Sequence, residues 1–123
     1  RLGISKIFDD NYEFAKNLSF PQLLNSAYNA GARISNNSWG LCASDFGFCN
    51  LYSSDSRTFD ALVRDIDPNG PGYQQMVIIF SAGNSGLELP QSVSMPGTAK
   101  NVITVGASEG FRRLSHPNSG LPL

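Results

Sequence analysis

A run of small residues follows the most apolar stretch of the chain and contains an asparagine suited to acyl-transfer chemistry. The run is Ser81-Ala82-Gly83-Asn84-Ser85-Gly86, directly after the apolar segment Met76–Phe80. Glycine lets a ligand or a second backbone come close. The side-chain amide of Asn84 offers N–H donors of the kind that stabilise a developing oxyanion. An Asn-Ser-Gly turn accounts for the same residues equally well, so the residues alone leave both interpretations open.

Two other kinds of enzyme site find little support in the residues. The one histidine, His116, lies in a tail rich in proline, serine and glycine, whereas a Ser-His-Asp site needs a histidine beside both of its partners. The chain contains no G-x-S-x-G elbow and no P-loop or G-x-G-x-x-G motif. We therefore expect neither a triad built on His116 nor a nucleotide site, and we interpret His116 as an exposed loop residue.

Metal binding is also disfavoured, although an acidic turn and two cysteines raise the question. The turn holds four residues that could gather around a cation, namely Asp9, Asp10, Asn11 and Glu13. It lacks the glycine and the spacing of an EF-hand loop, so a solvated turn is the better interpretation. Cys42 and Cys49 do not have the C-x-x-C spacing of a zinc or redox pair. A local disulfide between them and two free thiols both remain open.

Strand and helix signals alternate along the chain and predict the elements that would position these residues. The predicted strands are 2–8, 32–39, 76–82 and 102–107, and the predicted helices are 19–30 and 55–67. Ser19 and Asp55 are the predicted N-caps, and Pro21 lies in the first turn, where its missing N–H does no harm. The second helix carries an apolar stripe, which consists of Phe59, Leu62, Val63 and Ile66.

This order of elements predicts an α/β fold with a mostly parallel sheet and flanking helices. Within predicted strand 76–82, residues 76–80 are continuously apolar, which is typical of a strand buried on both faces. Ligands of such sheets bind beyond the carboxyl ends of the strands. We therefore expect a binding site among segments 9–17, 38–44 and 81–86.

Composition and charge exclude several classes of protein. Hydrophobic residues make up 41% of the 123 residues, charged residues make up 15%, and the net charge is -1. So low a charged fraction argues against disorder, and the balanced charge argues against nucleic-acid binding or attraction to an anionic membrane. The longest apolar run is too short to span a bilayer. Because the chain begins with Arg1 rather than methionine, we expect a fragment or a processed piece.

Three segments of the chain together resemble one enzyme family. In chain order they are Ile34-Ser35-Asn36-Asn37-Ser38-Trp39-Gly40, Phe80-Ser81-Ala82-Gly83-Asn84-Ser85-Gly86, and Ser94-Met95-Pro96-Gly97-Thr98-Ala99-Lys100-Asn101-Val102-Ile103-Thr104-Val105-Gly106-Ala107. On the expected strands and in this order, they resemble the central part of a subtilisin-like serine peptidase, the subtilase family. The resemblance predicts part of a peptidase domain over residues 1–110 and a divergent tail over 111–123.

The resemblance implies a role for each segment. Asn84 matches the family's oxyanion-hole asparagine, and Ser38-Trp39-Gly40 matches the strand that pairs with an extended substrate. Ser81-Ala82-Gly83 matches a wall of the pocket for the residue before the scissile bond, and loop 9–18 matches the rim of more distant pockets. Pro96 matches a proline that follows a cis peptide bond. For Trp39 itself, core packing is favoured over a pocket wall.

The resemblance also implies a three-layer subtilisin-like α/β fold, present in part, and hydrolysis of polypeptides through a Ser-His-Asp acyl-enzyme. The family's aspartate and histidine motifs would precede Arg1, and its serine motif would follow Leu123. We therefore expect the isolated chain to be inactive and to need the rest of the peptidase domain. We expect no cofactor in this piece, whereas calcium is common in the family and stays open for the intact enzyme. The family implies secretion. A catalytically inactive, truncated peptide-binding module is the alternative.

Overall fold

The computed structural model describes residues 2–11, 13–15, 17–42, 49–87 and 90–108. Over these ranges the elements are helices α1 (Phe20–Asn29) and α2 (Ser54–Arg64) and strands β1 (Ile34–Asn37), β2 (Val77–Ser81) and β3 (Ile103–Val105). A 3-10 turn, Ser85–Leu87, follows β2. The predicted tail 111–123, with His116, lies outside the described residues. None of the helices in these ranges is long and apolar enough to cross a membrane.

The strands form one parallel sheet in the order β1-β2-β3. Ile34 pairs with Val77 at the start of β1, and Ser81 pairs with Val105 at the end of β3. All three strands therefore end at the same edge of the sheet. With the two helices, this sheet confirms the predicted α/β fold, of which the chain forms a part.

Helix α1 begins where the sequence predicts it. Ser19 is the N-cap, its side chain accepts a hydrogen bond from the backbone N–H of Gln22, and Pro21 lies in the first turn. Both features suit a helix start, because the cap satisfies a free donor and proline has no N–H to leave unpaired. Gly31 follows the helix with a φ of 98°, a conformation that glycine adopts without steric cost.

Helix α2 has a different N-cap from the predicted one. The Ser53 side chain accepts a hydrogen bond from the Ser56 N–H, and the Ser56 side chain accepts one from the Ser53 N–H, so the two form a capping box. Asp55 lies in the first turn instead, where its charge suits the helix dipole. The helix ends at Arg64, earlier than predicted. The next residue, Asp65, is extended, and its carboxylate accepts a hydrogen bond from the N–H two residues on.

The helices cover one face of the sheet and enclose the apolar core there. Phe59 of α2 and Phe80 of β2 are 1% and 0% exposed, and their ring centroids lie 4.9 Å apart. The other core residues are Leu24, Leu62, Ile66, Met76, Ile78 and Ala99. Of the apolar stripe predicted for this helix, Phe59, Leu62 and the half-buried Val63 lie on α2, whereas Ile66 lies beyond its end and still joins the core.

Two of the strand predictions are wrong, and both need a partner that the described residues do not provide. Residues 2–7 join no sheet in the described part of the chain; Leu2 and Ile4 are each 91% exposed. An alternating sequence becomes a strand only when a neighbour accepts its backbone hydrogen bonds. Strand β2 is buried on one face rather than both, because Val77 on the other face is 43% exposed. Strands β1 and β3 are also shorter than predicted.

Candidate functional site

Three segments of the chain meet at the edge where the strands end. Leu41 and Met95 exchange two backbone hydrogen bonds, of 2.7 and 3.0 Å. The Ser94 N–H donates to the Ala82 carbonyl oxygen at 2.9 Å. These bonds join the segment after β1, the segment after β2 and a third segment that crosses both. We call the segments 38–41, 81–84 and 93–97 together the strand-end cleft.

Ser94 lies between two glycines of the strand-end cleft. A Cβ on Gly40 would lie 2.7 Å from the Ser94 Cβ, and a Cβ on Gly83 would clash with the Ser94 Oγ. Gly83 also has a φ of 96°, which other residues adopt only with strain. Ser94 itself is 6% exposed. Both positions therefore need glycine, because the backbones after β1 and β2 both pack directly against the Ser94 side chain.

Asn84 occupies an open position at this edge. It follows Gly83 directly and comes immediately before the 3-10 turn Ser85–Leu87. The turn from strand to 3-10 helix places Asn84 beyond the end of β2, and the residue is exposed to solvent. Its amide N–H groups are therefore accessible to a ligand that enters from this edge.

Residues Ser38, Trp39 and Gly40 form an edge with unused backbone groups. They follow β1 and precede the isolated bridge between Leu41 and Met95. Within the part of the chain that the structure describes, none of the three takes part in a backbone–backbone hydrogen bond. Ser38 and Gly40 are exposed. An extended peptide needs this kind of free edge in order to add itself as a further strand.

The Trp39 side chain turns away from this edge and packs, half-buried, against the core. Its ring is stacked on Phe20 at a centroid distance of 5.1 Å and meets Phe80 edge-on, also at 5.1 Å. The indole Nε1–H donates to the Asn37 Oδ1 at 3.3 Å. This confirms the core packing that the sequence favours for a single tryptophan. Trp39 thereby fixes the position of the backbone edge to which it belongs.

The acidic loop lies beside the strand-end cleft through an aromatic contact. Phe14 meets Trp39 edge-on, with ring centroids 5.5 Å apart. The Asp9 carboxylate accepts two backbone hydrogen bonds within the loop, at 2.8 and 3.1 Å, and Asp10 forms an exposed ion pair with Lys6 at 2.8 Å. No group of three acidic, histidine or cysteine side chains that could hold a metal occurs among the described residues.

Two covalent features of the cleft answer points that the sequence raised. Cys42 and Cys49 form a disulfide with a Cα–Cα distance of 4.7 Å, so the first of the two alternatives for these residues holds. The Met95–Pro96 peptide bond is cis, as the resemblance implies. Both features lie next to the Leu41–Met95 bridge, one on each side of it.

Sequence reasoning missed Ser94, which links the two glycine-containing segments. Polarity predicts an exposed serine, but Ser94 is buried and in contact with Gly40 and Gly83. The available signal was the pair of glycines, one after each of two predicted strands, which indicates that something approaches both closely. The sequence does not reveal which residue approaches, because Ser94 lies far along the chain from Gly40.

Comparison with known protein families decides which group the chain falls into. The model of the subtilase family, peptidase S8, matches residues 2–118. The chain belongs to the subtilase family. All three segments of the strand-end cleft lie inside the matched residues, so this subtilase carries its exposed edge, its paired glycines and Asn84 within the family's own region.

Two proteins from Dictyostelium discoideum are similar to this subtilase chain. They are the serine protease/ABC transporter B family proteins tagD and tagB, each 36% identical over 90 residues. The aligned part is 73% of this chain but only 4% of each relative. The chain therefore spans a small part of the length of these relatives. No solved structure matches the chain.

Proposed function

We propose that this chain contributes the substrate-binding edge and the oxyanion donor of a serine endopeptidase that cleaves polypeptides. The observation that carries the proposal is the exposed edge Ser38–Gly40, whose backbone groups are unused within the described residues. It lies at the same end of the sheet as Asn84. A peptidase needs both parts, because it must hold an extended backbone and stabilise the charge that develops on one of its carbonyl groups.

In this proposal, the substrate adds itself as a strand along Ser38–Gly40. The side chain before the scissile bond lies against Ser81–Gly83, and the scissile carbonyl faces Asn84. When a nucleophile attacks that carbonyl, its oxygen becomes negatively charged, and the Asn84 side-chain N–H donates to it. Because backbone pairing does not depend on side chains, the edge accepts many sequences, and selectivity comes from the pockets beside it.

The nucleophile and its base come from outside these 123 residues in this proposal. A serine activated by a histidine, with an aspartate to orient that histidine, would form the acyl-enzyme and then release it to water. The isolated chain would be inactive. The exposed face of the sheet is a further argument that another layer of the domain covers it, since large apolar side chains on this face remain exposed to water. They are Ile34 at 62%, Val77 at 43%, Ile103 at 53% and Val105 at 55% exposure.

Three finer expectations belong to the same proposal. In this proposal the intact enzyme acts outside the cell, as most members of the family do, and any calcium is bound elsewhere in it. The acidic loop, with Asp9, Asp10 and Glu13 near the Phe14–Trp39 contact, favours basic substrate side chains at the more distant positions. Neutralising all three acids in the active enzyme should reduce its preference for basic peptides, and an unchanged preference would contradict this role.

The proposal is tested by labelling the full-length gene product with a fluorophosphonate, a reagent that traps activated serines. We expect one labelled serine outside the 123 residues, loss of the label after heat unfolding, and hydrolysis of an unstructured polypeptide in parallel. The 123-residue chain alone should neither be labelled nor hydrolyse the polypeptide. A folded full-length protein that binds peptides but takes no label would instead be the inactive peptide-binding module.

A further inference from the structure

The residues that flank the Cys42–Cys49 disulfide hold the third segment of the strand-end cleft from two sides. On the first side, Leu41 exchanges backbone hydrogen bonds of 2.7 and 3.0 Å with Met95. On the second side, the Asn50 N–H donates to the Val93 carbonyl oxygen at 2.9 Å. Leu41 and Asn50 directly flank the bonded cysteines Cys42 and Cys49. We call Leu41, the disulfide and Asn50 the clasp.

The clasp is attached on both sides of Ser94, the residue against which Gly40 and Gly83 pack. Val93 and Met95 are its two points of attachment, and Ser94 lies between them with 6% exposure. Any movement of this segment moves the Ser94 side chain relative to Gly40 and Gly83, which already lie at contact distance. Backbone hydrogen bonds on both sides of the buried Ser94 thus connect the disulfide to segment 93–95, which we call the floor of the cleft.

The covalent link joins the two arms of the clasp. In the second arm, Asn50 has a φ of 57°, in the left-handed region that asparagine adopts more readily than most residues other than glycine. The disulfide keeps the two arms close to each other, which reduces the conformational entropy that a peptide would otherwise have to remove on binding. A rigid floor therefore favours peptide binding rather than the chemical step.

We propose that the Cys42–Cys49 disulfide is a positioning device for peptide binding: it fixes segment 93–95 under the substrate-pairing edge. The inference rests on the proposed function, because it assigns the clasp to the same cleft. Reducing the bond alone loosens the floor and weakens binding of extended peptides. The helix-covered core does not depend on the clasp and keeps its own contacts.

Reduction of the clasp is a balanced two-electron exchange with a dithiol. One thiolate of the dithiol attacks a sulfur of the disulfide and forms a mixed disulfide, and its second thiolate then displaces the remaining cysteine. The dithiol leaves as a cyclic disulfide, and Cys42 and Cys49 each gain one proton as thiols. Reoxidation restores the original bond, so the effect on binding is reversible.

The experiment compares the full-length protein in oxidised, reduced and Cys42→Ser/Cys49→Ser forms. We expect KM for an extended peptide to rise about tenfold in the reduced and double-serine forms, with kcat within about twofold, because only uniform binding is lost. Reoxidation should restore KM in the wild type, and a dithiol should have no effect on the double-serine form. A disulfide that only stabilises the fold would lower the active fraction, and hence apparent kcat, without changing KM.

A matched variant controls for the introduced serines. Asn25→Ser/Asn29→Ser removes a local side-chain hydrogen bond of 2.7 Å on helix α1 and should leave KM, kcat and their response to a dithiol unchanged. Equal KM values in the oxidised and reduced wild type would overturn the inference. Absence of turnover in every form would instead argue against the proposed peptidase.

Hydrogen exchange gives a second readout that does not depend on activity. In the reduced protein, the amides of Leu41, Asn50 and Met95 should exchange at least about tenfold faster, since their bonds open locally. The amides of β2 should keep their protection. Unchanged exchange at the three clasp amides would contradict the inference even in a protein without peptidase activity.

Discussion

The helix-covered core and the strand-end cleft lie on one sheet but are held together in different ways. The core depends on buried apolar side chains such as Phe59 and Phe80. The cleft depends on backbone hydrogen bonds and on two glycines that leave room for Ser94. A core of this kind tolerates substitutions that conserve volume. The cleft should not tolerate even one added carbon atom at either glycine.

The strongest test of the comparison is a deletion of volume in the core. Phe59→Ala should lower the free energy of unfolding by about 3–5 kcal/mol, because the ring is fully buried against Phe80 and Phe20. Arg57→Ala, on the exposed side of the same helix, should change it by less than about 0.5 kcal/mol. Urea unfolding of both variants measures the difference. Similar losses would mean that the core does not dominate stability.

Adding one carbon atom at a glycine of the cleft should lower the free energy of unfolding somewhat less than Phe59→Ala does. Gly83→Ala combines strain at a φ of 96° with a clash against Ser94. Gly31→Ala is the matched control, since Gly31 has a φ of 98° and no atom within 4 Å of an added Cβ. We expect a loss of about 1–2 kcal/mol from strain at Gly31 and a further 1–3 kcal/mol, roughly, at Gly83.

A second substitution identifies the cause of that extra cost. Ser94→Gly removes the side chain that the new Cβ would strike, so it should rescue most of the difference between the two alanine variants. Chemical denaturation of the double variant measures the rescue. If Gly83→Ala and Gly31→Ala cost the same, the close approach of Ser94 would not define the cleft.

Ser56 connects helix α2 to Thr98, the residue that directly follows segment 93–97 of the cleft, and should show an intermediate effect. Its side chain completes the cap of α2 and lies 2.9 Å from the Thr98 hydroxyl, in a residue that is 0% exposed. Ser56→Ala should destabilise the chain by about 1–2 kcal/mol, because the Ser53 N–H loses its acceptor and the Thr98 hydroxyl keeps only its bond to the Leu51 carbonyl oxygen. Ser54→Ala at an exposed position of the same turn is the control. Thermal melts in which both variants lose equally would argue against this link.

The smallest effect is expected at an exposed contact outside both regions. The Tyr52 hydroxyl donates to the Asp60 carboxylate at 2.8 Å, and this hydrogen bond raises the pKa of Tyr52 above its ordinary 10.0. Because the folded pKa is the higher one, the contribution to stability is complete below pH 10 or so and is lost as the pH rises through the folded pKa. Asp60→Asn should lower the pKa of Tyr52. Ultraviolet titrations of the wild type and of Asp60→Asn, with Tyr52→Phe as the blank, measure this change. Equal pKa values of Tyr52 in the two proteins would contradict the contact.

The two regions also differ in how far the sequence predicts them. The spacing of Phe59, Leu62 and Val63 is enough to place the core face of α2, because helical periodicity is local. The N-cap of that helix is harder to predict, since serine and aspartate are both good N-caps. The tertiary contact of Ser56 favours Ser53 over Asp55. Local pattern therefore predicts the elements better than their ends.

The cleft could be predicted only in its parts. The sequence marks Gly40, Gly83 and Asn84 as residues near strand ends, because small and polar residues follow apolar runs there. It does not indicate that Ser94 lies between the glycines, since that contact joins segments distant in the chain. The sequence also does not predict the exposure of Val77, because burial of the second sheet face depends on a layer that the described residues do not supply.

The most direct test of the account is the turnover of Asn84→Ala in the full-length protein, with Asn69→Ala in an exposed loop as the control. The account predicts that kcat falls about 10²–10³-fold, the usual loss for one oxyanion donor, subtilisin included. KM and the melting temperature should change little, because Asn84 is exposed in the free chain and, in the proposed function, acts only on the transition state. An unchanged kcat, or a loss of kcat that merely follows a loss of stability, would contradict it.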